Sequence, residues 1–459
     1  MAIRLTLSIF FSFIYLNAIN LNTIDLKEAK KYSQLEVTTY ANGKQNITFL
    51  NTKNPSYYTP TTSTLVFQKK PKSLQSNFGT IYLYDLSKQG QYLNVLNYDF
   101  MEIEGNMSNI SIGLADKYYF KKEDHLKLPL KHHFNLQKLF GKIDLSRLKY
   151  LVIITASGTP PPIKKIIFKN NQEYTSLENN HLETWAWNPE YVTHSHLKKQ
   201  PIERIYMQMK SGFQKALKRM KDTNITIYGL NGSPEDIFHY THLLKDIDTL
   251  AILKKDFPSI QGYQVDIEPY LLNAYKKDPE KILNTYLTLI QKLKIYTKKH
   301  ELKLSVVIPF WFDHLYVKDK NVGFRVIDIA DEVVLMSYRS DINKVFDISK
   351  ILLNYAHYSN KELRIGIELM KIENESHTVY KITQIQRTCL SSGKITDNCI
   401  FLDKMNQYTV YGKEISFYKQ TEKLKYLLSH PIPFPSFKGF VLHHFDLLST
   451  VPPLFYTDK

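Results

Sequence analysis

The chain has 459 residues with 43% hydrophobic and 23% charged content, which is ordinary for a globular protein and long enough for more than one domain. Its formal net charge is +16, but the lysines are spread along the chain without a block of five or six. Because no nucleic-acid-binding motif accompanies the charge either, we expect a solvated basic surface and no nucleic-acid partner.

The first 18 residues are typical of a secretory signal peptide. Arg4 supplies the positive start, residues 5–16 are nearly all apolar, and Leu16-Asn17-Ala18 offers a cleavage site. The apolar run is too short to span a bilayer comfortably, and an uncleaved N-terminal anchor is the alternative. We therefore expect an exported chain, secreted or periplasmic, with surface association as a further option and no transmembrane helix in the mature protein.

Residues 19–62 form a polar segment, rich in Asn and Thr, whose order the sequence leaves undefined. Residues 63–175 then show short alternating strands separated by turn residues, without a long helical period; examples are 64–68, 80–84, 108–113 and 150–155. This pattern predicts an antiparallel β-sandwich domain. Residues 143–168 resemble the last strands of the jelly-roll modules found beside glycosidase domains.

The pattern changes at residue 182, inside a second domain that we place at 178–456. Helical stretches, clearest at 234–255, 279–299, 345–358 and 414–428, now alternate with short apolar runs. The strand candidates are 182–187, 202–207, 225–230, 263–267, 302–308, 332–338, 363–369 and 437–443. Eight strands over about 270 residues predict a (β/α)8 TIM barrel. An open doubly wound sheet is the alternative, but no Gly-rich phosphate loop follows an early strand.

Two acids stand where the fourth predicted strand becomes a loop. Asp266 and Glu268 are two residues apart, so they leave the strand on one face, at the rim where a parallel barrel keeps its catalytic groups. Alternatively, a strand-end acid caps the next helix or pairs with a surface lysine. We favour the catalytic interpretation, because buried paired acids perturb each other's pKa and are seldom kept for stability alone.

Other strand ends bring aromatic, polar and charged residues to the same rim. We select as substrate-binding candidates Trp185, Trp187, Asn231, Trp311, Arg339 and His443. Flat aromatic faces beside carboxylates suit sugar rings, although any one aromatic residue can equally belong to the core. Trp187 and Trp311 are the strongest candidates, since both lie just past a strand end. A lone histidine here is more often a hydrogen-bonding partner than a ligand, so we expect no metal and no cofactor.

Two short strings carry a resemblance to a known family. Residues 262–268, which end in Asp-x-Glu, resemble the strand-four motif of glycoside hydrolase family 18, and Met336-Ser337-Tyr338 is similar to its strand-six Met-x-Tyr. The resemblance implies a TIM-barrel glycosidase with substrate-assisted chemistry. In that scheme Glu268 donates a proton, Asp266 steadies the substrate's N-acetyl group, and Tyr338 hydrogen-bonds to that group.

The chain departs from the family pattern at three positions. Gln261 and Gln264 stand where the motif has acids, and Arg339 stands where the family usually has Asp. The chain also resembles uncharacterised bacterial barrel proteins that combine an Asp-Ile-Glu-Pro-Tyr motif with Met-x-Tyr-Arg and His-His strand ends. A non-catalytic carbohydrate-binding barrel, which has lost turnover but kept its aromatic cleft, therefore stays open beside the enzyme.

A second catalytic scheme involves Glu368. Glu268-Pro269 resembles the strand-four Glu-Pro of retaining barrel glycosidases, whose nucleophile is a Glu at the end of strand seven, the place of Glu368. That scheme needs the two carboxyl groups about 5–5.5 Å apart. Glu368 could equally pair with a lysine such as Lys371, and Ile267 replaces the Asn that precedes the acid in those enzymes. In either scheme we expect a polysaccharide or oligosaccharide substrate and a monomeric chain.

The only cysteines are Cys389 and Cys399, which flank a polar stretch that we interpret as a loop. An exported chain meets an oxidising compartment, so we predict a local disulfide bond between them. Zinc binding is disfavoured, because two cysteines without a nearby histidine give too few ligands.

Overall fold

A computed structural model gives the fold of most of the chain, and the predicted signal peptide lies outside the residues that it describes. The described residues are 33–50, 57–58, 64–66, 70–76, 79–88, 91–95, 98, 100–105, 110–115, 126–128, 133–136, 145, 147–155, 159, 163–169, 182–193, 197, 202–318, 320–391, 394–429 and 434–445. They belong to two compact units, one from Met1–Lys53 and Glu373–Tyr411, the other from Asn54–Ile372 and Gly412–Lys459. The first unit thus takes residues 373–411 out of the predicted barrel domain, which the sequence pattern did not anticipate.

The first unit is a four-stranded antiparallel sheet. In sheet order its strands are Gln45–Leu50, Gln34–Tyr40, Glu375–Ser391 and Lys394–Val410. Leu35, Val37 and Tyr380 form a small buried core. Two strands of this sheet therefore lie in the polar segment 19–62, for which the sequence predicted no element.

The expected loop between the two cysteines is wrong, because the stretch belongs to a long β-hairpin. The hairpin register places Cys389 opposite Thr396 and Cys399 opposite Gln386. Backbone hydrogen bonds hold such a ribbon without an apolar face, so a polar sequence can form it. Both cysteine side chains lie outside the described part of the chain, and the disulfide bond stays a prediction.

The second unit begins with two antiparallel sheets. One has the order Leu126–Leu128, Ile110–Ala115, Tyr150–Thr155, Gly79–Asp85 and Lys72–Ser76; the other has the order His133–Asn135, Phe100–Gly105, Ile163–Lys169 and Thr64–Val66. A short parallel pair joins Tyr57–Tyr58 to Tyr92–Leu93. One buried cluster contains residues of both sheets, among them Tyr82 and Ile153 from the first and Ile103 and Ile166 from the second. The prediction of an antiparallel β-sandwich before the barrel is confirmed.

Eight parallel strands then close into a barrel, which confirms the predicted (β/α)8 fold. We number these barrel strands one to eight: Leu182–Ala186, Ile202–Gln208, Thr226–Asn231, Ile260–Val265, Lys303–Pro309, Glu332–Met336, Glu362–Glu368 and Phe437–His443. The helices are Phe213–Arg219, Thr241–Leu253, Asn273–Lys277, Pro279–Lys299, Val322–Ile329, Ile342–Tyr358, Gly412–Ile415 and Thr421–Ser429. Short 3-10 turns follow four strands, at Pro189–Tyr191, Pro234–Ile237, Pro269–Leu271 and Phe310–His314, and a small hairpin pairs Tyr316–Val317 with Lys320–Asn321.

Two predicted helices are each broken in the structure. The stretch 234–255 divides at Tyr240, whose φ of −91° and ψ of 6° leave the helical region. The stretch 414–428 divides near Lys419, whose φ of 56° is left-handed and cannot continue a right-handed helix. In contrast, helix Pro279–Lys299 begins as predicted, because the Asp278 side chain accepts a hydrogen bond from the Lys281 N–H and proline occupies the first turn.

Side chains of the barrel strands alternate between two cores. Outward residues pack against the helices in a large cluster that includes Tyr263, Val265 and Ile267. Inward residues fill the barrel in a second cluster: Trp185, Tyr206, Tyr228, Leu230, Val307, Val334 and Val441. This period of two decides which strand-end residues face the barrel axis.

None of the helices in the described residues is long and apolar enough to cross a membrane.

Candidate active site

Barrel strand four delivers the acid pair to the C-terminal rim. The inward series Gln264, Asp266 and Glu268 continues past the strand end, because the Asp266 N–H still donates to the Asn231 carbonyl oxygen at 3.0 Å. A Cβ on Gly232 would collide with the Asp266 backbone, so the close approach of the two chain segments requires glycine there. Pro269–Leu271 then turns the chain sharply after the second acid.

The carboxyl group of Asp266 is only partly hydrogen-bonded. Its Oδ1 is buried and has no hydrogen-bond partner among the described residues. Burial and the negative charge of Glu268 raise the pKa of Asp266 to about 7, while His443 opposes the rise. Asp266 is therefore an acid that can exchange a proton near neutral pH.

Glu268 has a partner that sequence reasoning missed. The Tyr270 hydroxyl donates a hydrogen bond to Glu268 Oε1. The Tyr270 ring meets Trp311 edge-on, with centroids 4.8 Å apart, so barrel strand five supports the acid through this tyrosine. The available signal was the position of Tyr270, two residues beyond Glu268 in the same tight turn.

Glu368 is buried at the end of barrel strand seven, with 4% of its surface exposed, and both of its oxygens are engaged. Oε2 lies 2.6 Å from His443 Nδ1, and Oε1 accepts a hydrogen bond from the Met370 N–H at 2.7 Å. The carboxylate is thus bound by barrel strand eight on one side and by its own following loop on the other.

His443 brings four strand ends together. Trp185 and Trp187 of the first strand end approach its ring edge-on, with centroids 5.9 and 6.1 Å away. Tyr338 stacks on it at 6.1 Å with an interplanar angle of 18°, and Glu368 bonds to Nδ1. The Trp187 Nε1 is buried without a hydrogen-bond partner in the described residues. Its N–H is therefore a donor that a ligand at this rim could use.

Tyr338 belongs to the same electrostatic environment as the acids. Burial and the negative charges of Glu368, Asp266 and Glu268 raise the pKa of its hydroxyl well above the ordinary value. The hydroxyl therefore stays protonated at physiological pH and is available as a hydrogen-bond donor.

Three residues that the sequence predicted as substrate-binding make contacts away from the acid pair's carboxyl groups. Asn231 points to the helix layer, where its Nδ2 donates to Asp246 Oδ2 at 2.9 Å. Trp185 is 2% exposed and lies inside the barrel. The Arg339 guanidinium donates to the Tyr338 carbonyl oxygen at 2.7 Å and lies over the Phe310 ring at 5.4 Å.

Gln264 is a second residue whose role sequence reasoning missed. It is fully buried, its Oε1 accepts a hydrogen bond from Trp185 Nε1 at 2.6 Å, and its Nε2 donates to Ser305 Oγ at 2.9 Å. The neutral amide therefore serves the barrel core directly beneath Asp266, where the family motif has an acid. A carboxylate could accept from Trp185 but could not donate to Ser305 in the same way.

Fold and site together define a (β/α)8 barrel with a half-buried acid pair, Asp266 and Glu268, and an aromatic wall formed by Trp187 and Trp311 at its C-terminal rim. No family model and no curated protein matches the chain. Among solved structures, a chitinase from Chromobacterium violaceum is 14% identical, covers 58% of this chain and 94% of its own, and has a TM-score of 0.35. A spore cortex-lytic enzyme from Bacillus megaterium is 13% identical with 65% and 79% coverage and a TM-score of 0.33. A mutant family 18 chitinase from Cycas revoluta, in complex with (GlcNAc)4, is 10% identical with 60% and 97% coverage and a TM-score of 0.36.

Proposed function

We propose that the chain is a glycoside hydrolase that cleaves a glycosidic bond with Glu268 as general acid. The observation that carries the proposal is the pair Asp266 and Glu268 at the C-terminal rim, where the Oδ1 of Asp266 is buried without a hydrogen-bond partner among the described residues and the pKa of this acid is raised. Uncompensated burial of an acid costs stability, and barrel enzymes place their catalytic groups at this rim. The nearby aromatic rings of Trp187 and Trp311 fit a sugar substrate.

In the proposed reaction the substrate's own acetamide is the nucleophile. Glu268 gives its proton to the leaving glycosidic oxygen while the acetamide carbonyl oxygen attacks the anomeric carbon. Asp266 accepts the acetamide N–H and balances the positive charge that develops, and the Tyr338 hydroxyl donates to the acetamide oxygen. The glycosidic bond breaks as this attack closes an oxazolinium ring. Water then attacks the anomeric carbon, the bond to the acetamide oxygen breaks, and Glu268 takes the proton from the water, so the anomeric configuration is retained.

The environment of Glu368 favours this route over a covalent intermediate. A nucleophilic carboxylate needs a free oxygen facing the anomeric carbon. Glu368 is buried, and its two oxygens are engaged by His443 and by the Met370 N–H. Asp266 has the free oxygen instead.

A second candidate function is carbohydrate binding without turnover. The Tyr270 hydroxyl donates to Glu268, and a hydrogen bond to the charged form of an acid opposes its service as a proton donor. Gln264 is a neutral substitute for one acid of the resembled motif. A barrel with this arrangement could bind sugars in its cleft without catalysing their hydrolysis.

The test is hydrolysis of a panel of oligosaccharides and polysaccharides, with and without N-acetyl groups, by the wild type and by Glu268→Gln. We expect turnover by the wild type and a loss of about 100-fold to 10,000-fold in the variant, the usual contribution of a general acid. Glu422→Gln makes the same chemical change at an exposed helix position and should leave the rate unchanged. Glycan binding without cleavage by the wild type would instead establish the binding function.

We further propose that the chain acts outside the cytoplasm as a monomer, on a polysaccharide or oligosaccharide, after removal of residues 1–18. In an oxidising compartment Cys389 and Cys399 would then be able to form a disulfide bond. Peptide mass spectrometry of exported protein without reduction should detect the linked pair, and two free thiols would refute it.

A further inference from the structure

Arg339 is a half-buried cation at the C-terminal rim that forms no ion pair with the described residues. It follows Tyr338 at the end of barrel strand six. One of its Nη1 hydrogens is donated to the Tyr338 carbonyl oxygen at 2.7 Å, and the guanidinium lies over the Phe310 ring at 5.4 Å. At the opposite end of the barrel, in contrast, Arg204 and Arg364 both pair with acids.

These contacts hold the guanidinium at the ends of strands five and six and leave most of its donors unused. A guanidinium has five N–H donors in a planar fork, and the Tyr338 carbonyl oxygen takes one. The others have no acceptor in the described segments, and no nitrogen of Arg339 belongs to the buried polar atoms that lack a partner, so the fork is open to a ligand. Phe310 directly precedes Trp311, the ring that we propose as a sugar surface.

We propose that Arg339 binds a carboxylate of the substrate, so that the substrate is an acidic glycan, an assignment that rests on the proposed function. The planar fork matches a carboxylate, whose two oxygens can accept two parallel N–H bonds. The class comprises glycans that contain N-acetylated units together with uronic acids or with units that carry a lactyl ether.

The balance of charges supports this assignment. A half-buried cation without a counter-ion costs free energy, which a bound anion recovers. Burial lowers the pKa of Arg339 and Glu414 opposes this effect, but an arginine side chain stays charged at physiological pH. The net charge of +16 attracts anionic polymers over longer distances. The acid pair Asp266 and Glu268 disfavours a carboxylate directly beside it, so the acidic group is directed towards Arg339.

The experiment compares acidic probes with their neutral carboxamides by isothermal titration calorimetry on Glu268→Gln protein. One probe is the methyl glycoside of N-acetylmuramic acid, and the other is a disaccharide of glucuronic acid and N-acetylglucosamine. Each carboxamide removes the charge and nearly preserves the shape. In at least one pair we expect the acid to bind about 10-fold more tightly than the amide, the scale of a charge-assisted hydrogen bond. This preference should shrink as salt is added.

Variants of Arg339 separate carboxylate binding from a structural role. Arg339→Gln should bind acid and amide equally and keep the parent's affinity for the amide, whereas loss of a structural contact would weaken both. Arg339→Lys keeps the charge without the fork and should retain part of the preference. Lys299→Gln is the control, because it removes a cation that lies over the Tyr296 ring at 5.8 Å in the last turn of a helix, and it should keep the full preference.

The proposal is overturned if none of the four probes binds, if neither acid is preferred, or if Arg339→Gln keeps the preference. Hydrolysis of the glycan panel is scored separately. If the acid is preferred through Arg339 but the wild type cleaves no glycan, the carboxylate site stands and the proposed hydrolase function fails. If hydrolysis depends on Glu268 but no acid is preferred, the function stands and this inference fails.

Discussion

The two ends of the barrel bury acids in opposite ways. At the N-terminal end, Glu183 and Glu332 meet Arg364 and Arg204: Arg364 Nε lies 2.6 Å from Glu183 Oε1, and Arg204 Nη1 lies 2.6 Å from Glu332 Oε2. The Tyr206 hydroxyl also donates to Glu183 at 2.6 Å. At the C-terminal end, Asp266 pairs with no arginine of the described segments, and within them one of its oxygens has no hydrogen-bond partner.

The same burial therefore has opposite results for the pKa. Burial alone would raise the pKa of Glu332, but Arg364, Arg204 and Lys303 bring it below the ordinary value. Burial raises the pKa of Asp266 to about 7, and Glu268 adds to the rise. Opposite charges beside a buried acid keep it ionised and make it part of the structure, whereas an acid without them keeps a proton that can be exchanged near neutral pH.

A cavity marks the end of the barrel opposite the acid pair. A cavity of about 240 Å³ opens at the N-terminal end, lined by Glu183, Glu203, Arg204, Thr226, Glu362, Arg364 and Lys438. Its lining has three acids and three cations, and the most buried of them, Glu183, Arg204 and Arg364, pair with each other. The proposed function therefore rests on the charges of the C-terminal end and not on this empty volume.

The largest effect on stability should come from removing one arginine of the charge network at the N-terminal end. Arg364→Met leaves Glu183 and Glu332 short of one positive charge in a buried site. We expect the free energy of unfolding to fall by about 3–5 kcal/mol, the usual cost of an unpaired buried charge. Urea denaturation measures it.

The matched control is Lys425→Met, which breaks a helix-surface pair between a half-buried lysine and the exposed Glu422. Exposed pairs contribute about 0–1 kcal/mol, so this variant should unfold nearly as the wild type does. If both variants lose the same small amount of stability, the N-terminal network is not what distinguishes the two ends.

A smaller effect of opposite sign is expected at the C-terminal end. The folded pKa of Asp266 is about 7 against an ordinary 3.8, so folding favours the protonated acid. Wild-type stability should therefore decline as the pH rises from about 4 to about 7. Asp266→Asn removes this decline and should raise the free energy of unfolding at pH 8 by about 1–3 kcal/mol while it abolishes turnover.

Unfolding curves of the wild type and Asp266→Asn at pH 4 and pH 8 provide the measurement, and the difference should vanish at pH 4. Asp222→Asn is the control, because Asp222 is exposed in a turn and should show no such dependence on pH. A variant that is less stable than the wild type at pH 8 would mean that Asp266 is compensated after all.

The smallest effect concerns the aromatic wall. Trp311→Ala removes the ring that packs against Tyr270, and with it a surface for a sugar. We expect glycan affinity to fall about 5-fold to 10-fold, the equivalent of about 1–1.4 kcal/mol. Isothermal titration calorimetry of glycan into the Trp311→Ala variant, made in Glu268→Gln protein, measures the affinity without turnover.

Trp311→Phe keeps an aromatic face and should lose less affinity than the alanine variant. Trp185→Phe serves as a contrasting control, because Trp185 is 2% exposed and donates a hydrogen bond to Gln264. This variant should lower the free energy of unfolding more than it lowers glycan affinity. Equal losses of affinity in Trp311→Ala and Trp311→Phe would argue against ring stacking.

The sequence alone was sufficient for the sandwich, the barrel and the acid pair. These depend on local periodicity: alternation marks the sandwich strands, apolar runs between helical stretches mark the barrel, and spacing of two places Asp266 and Glu268 on one face. The same period of two could also have directed Asn231 away from the axis, since it lies one residue out of phase with Tyr228 and Leu230.

The partners of the acids were decided only by the tertiary structure. Glu368 meets His443 across 75 positions of sequence, and Gln264 meets Trp185 across 79, distances that no local pattern spans. The four-stranded sheet of residues 34–50 and 375–410 likewise pairs strands from opposite ends of the chain. Periodicity in the sequence indicates which face of a strand or helix a side chain occupies. Barrel closure and strand pairing determine which residue from a distant part of the chain lies opposite it. The charge and hydrogen bonds of that residue then shift the pKa of an acid.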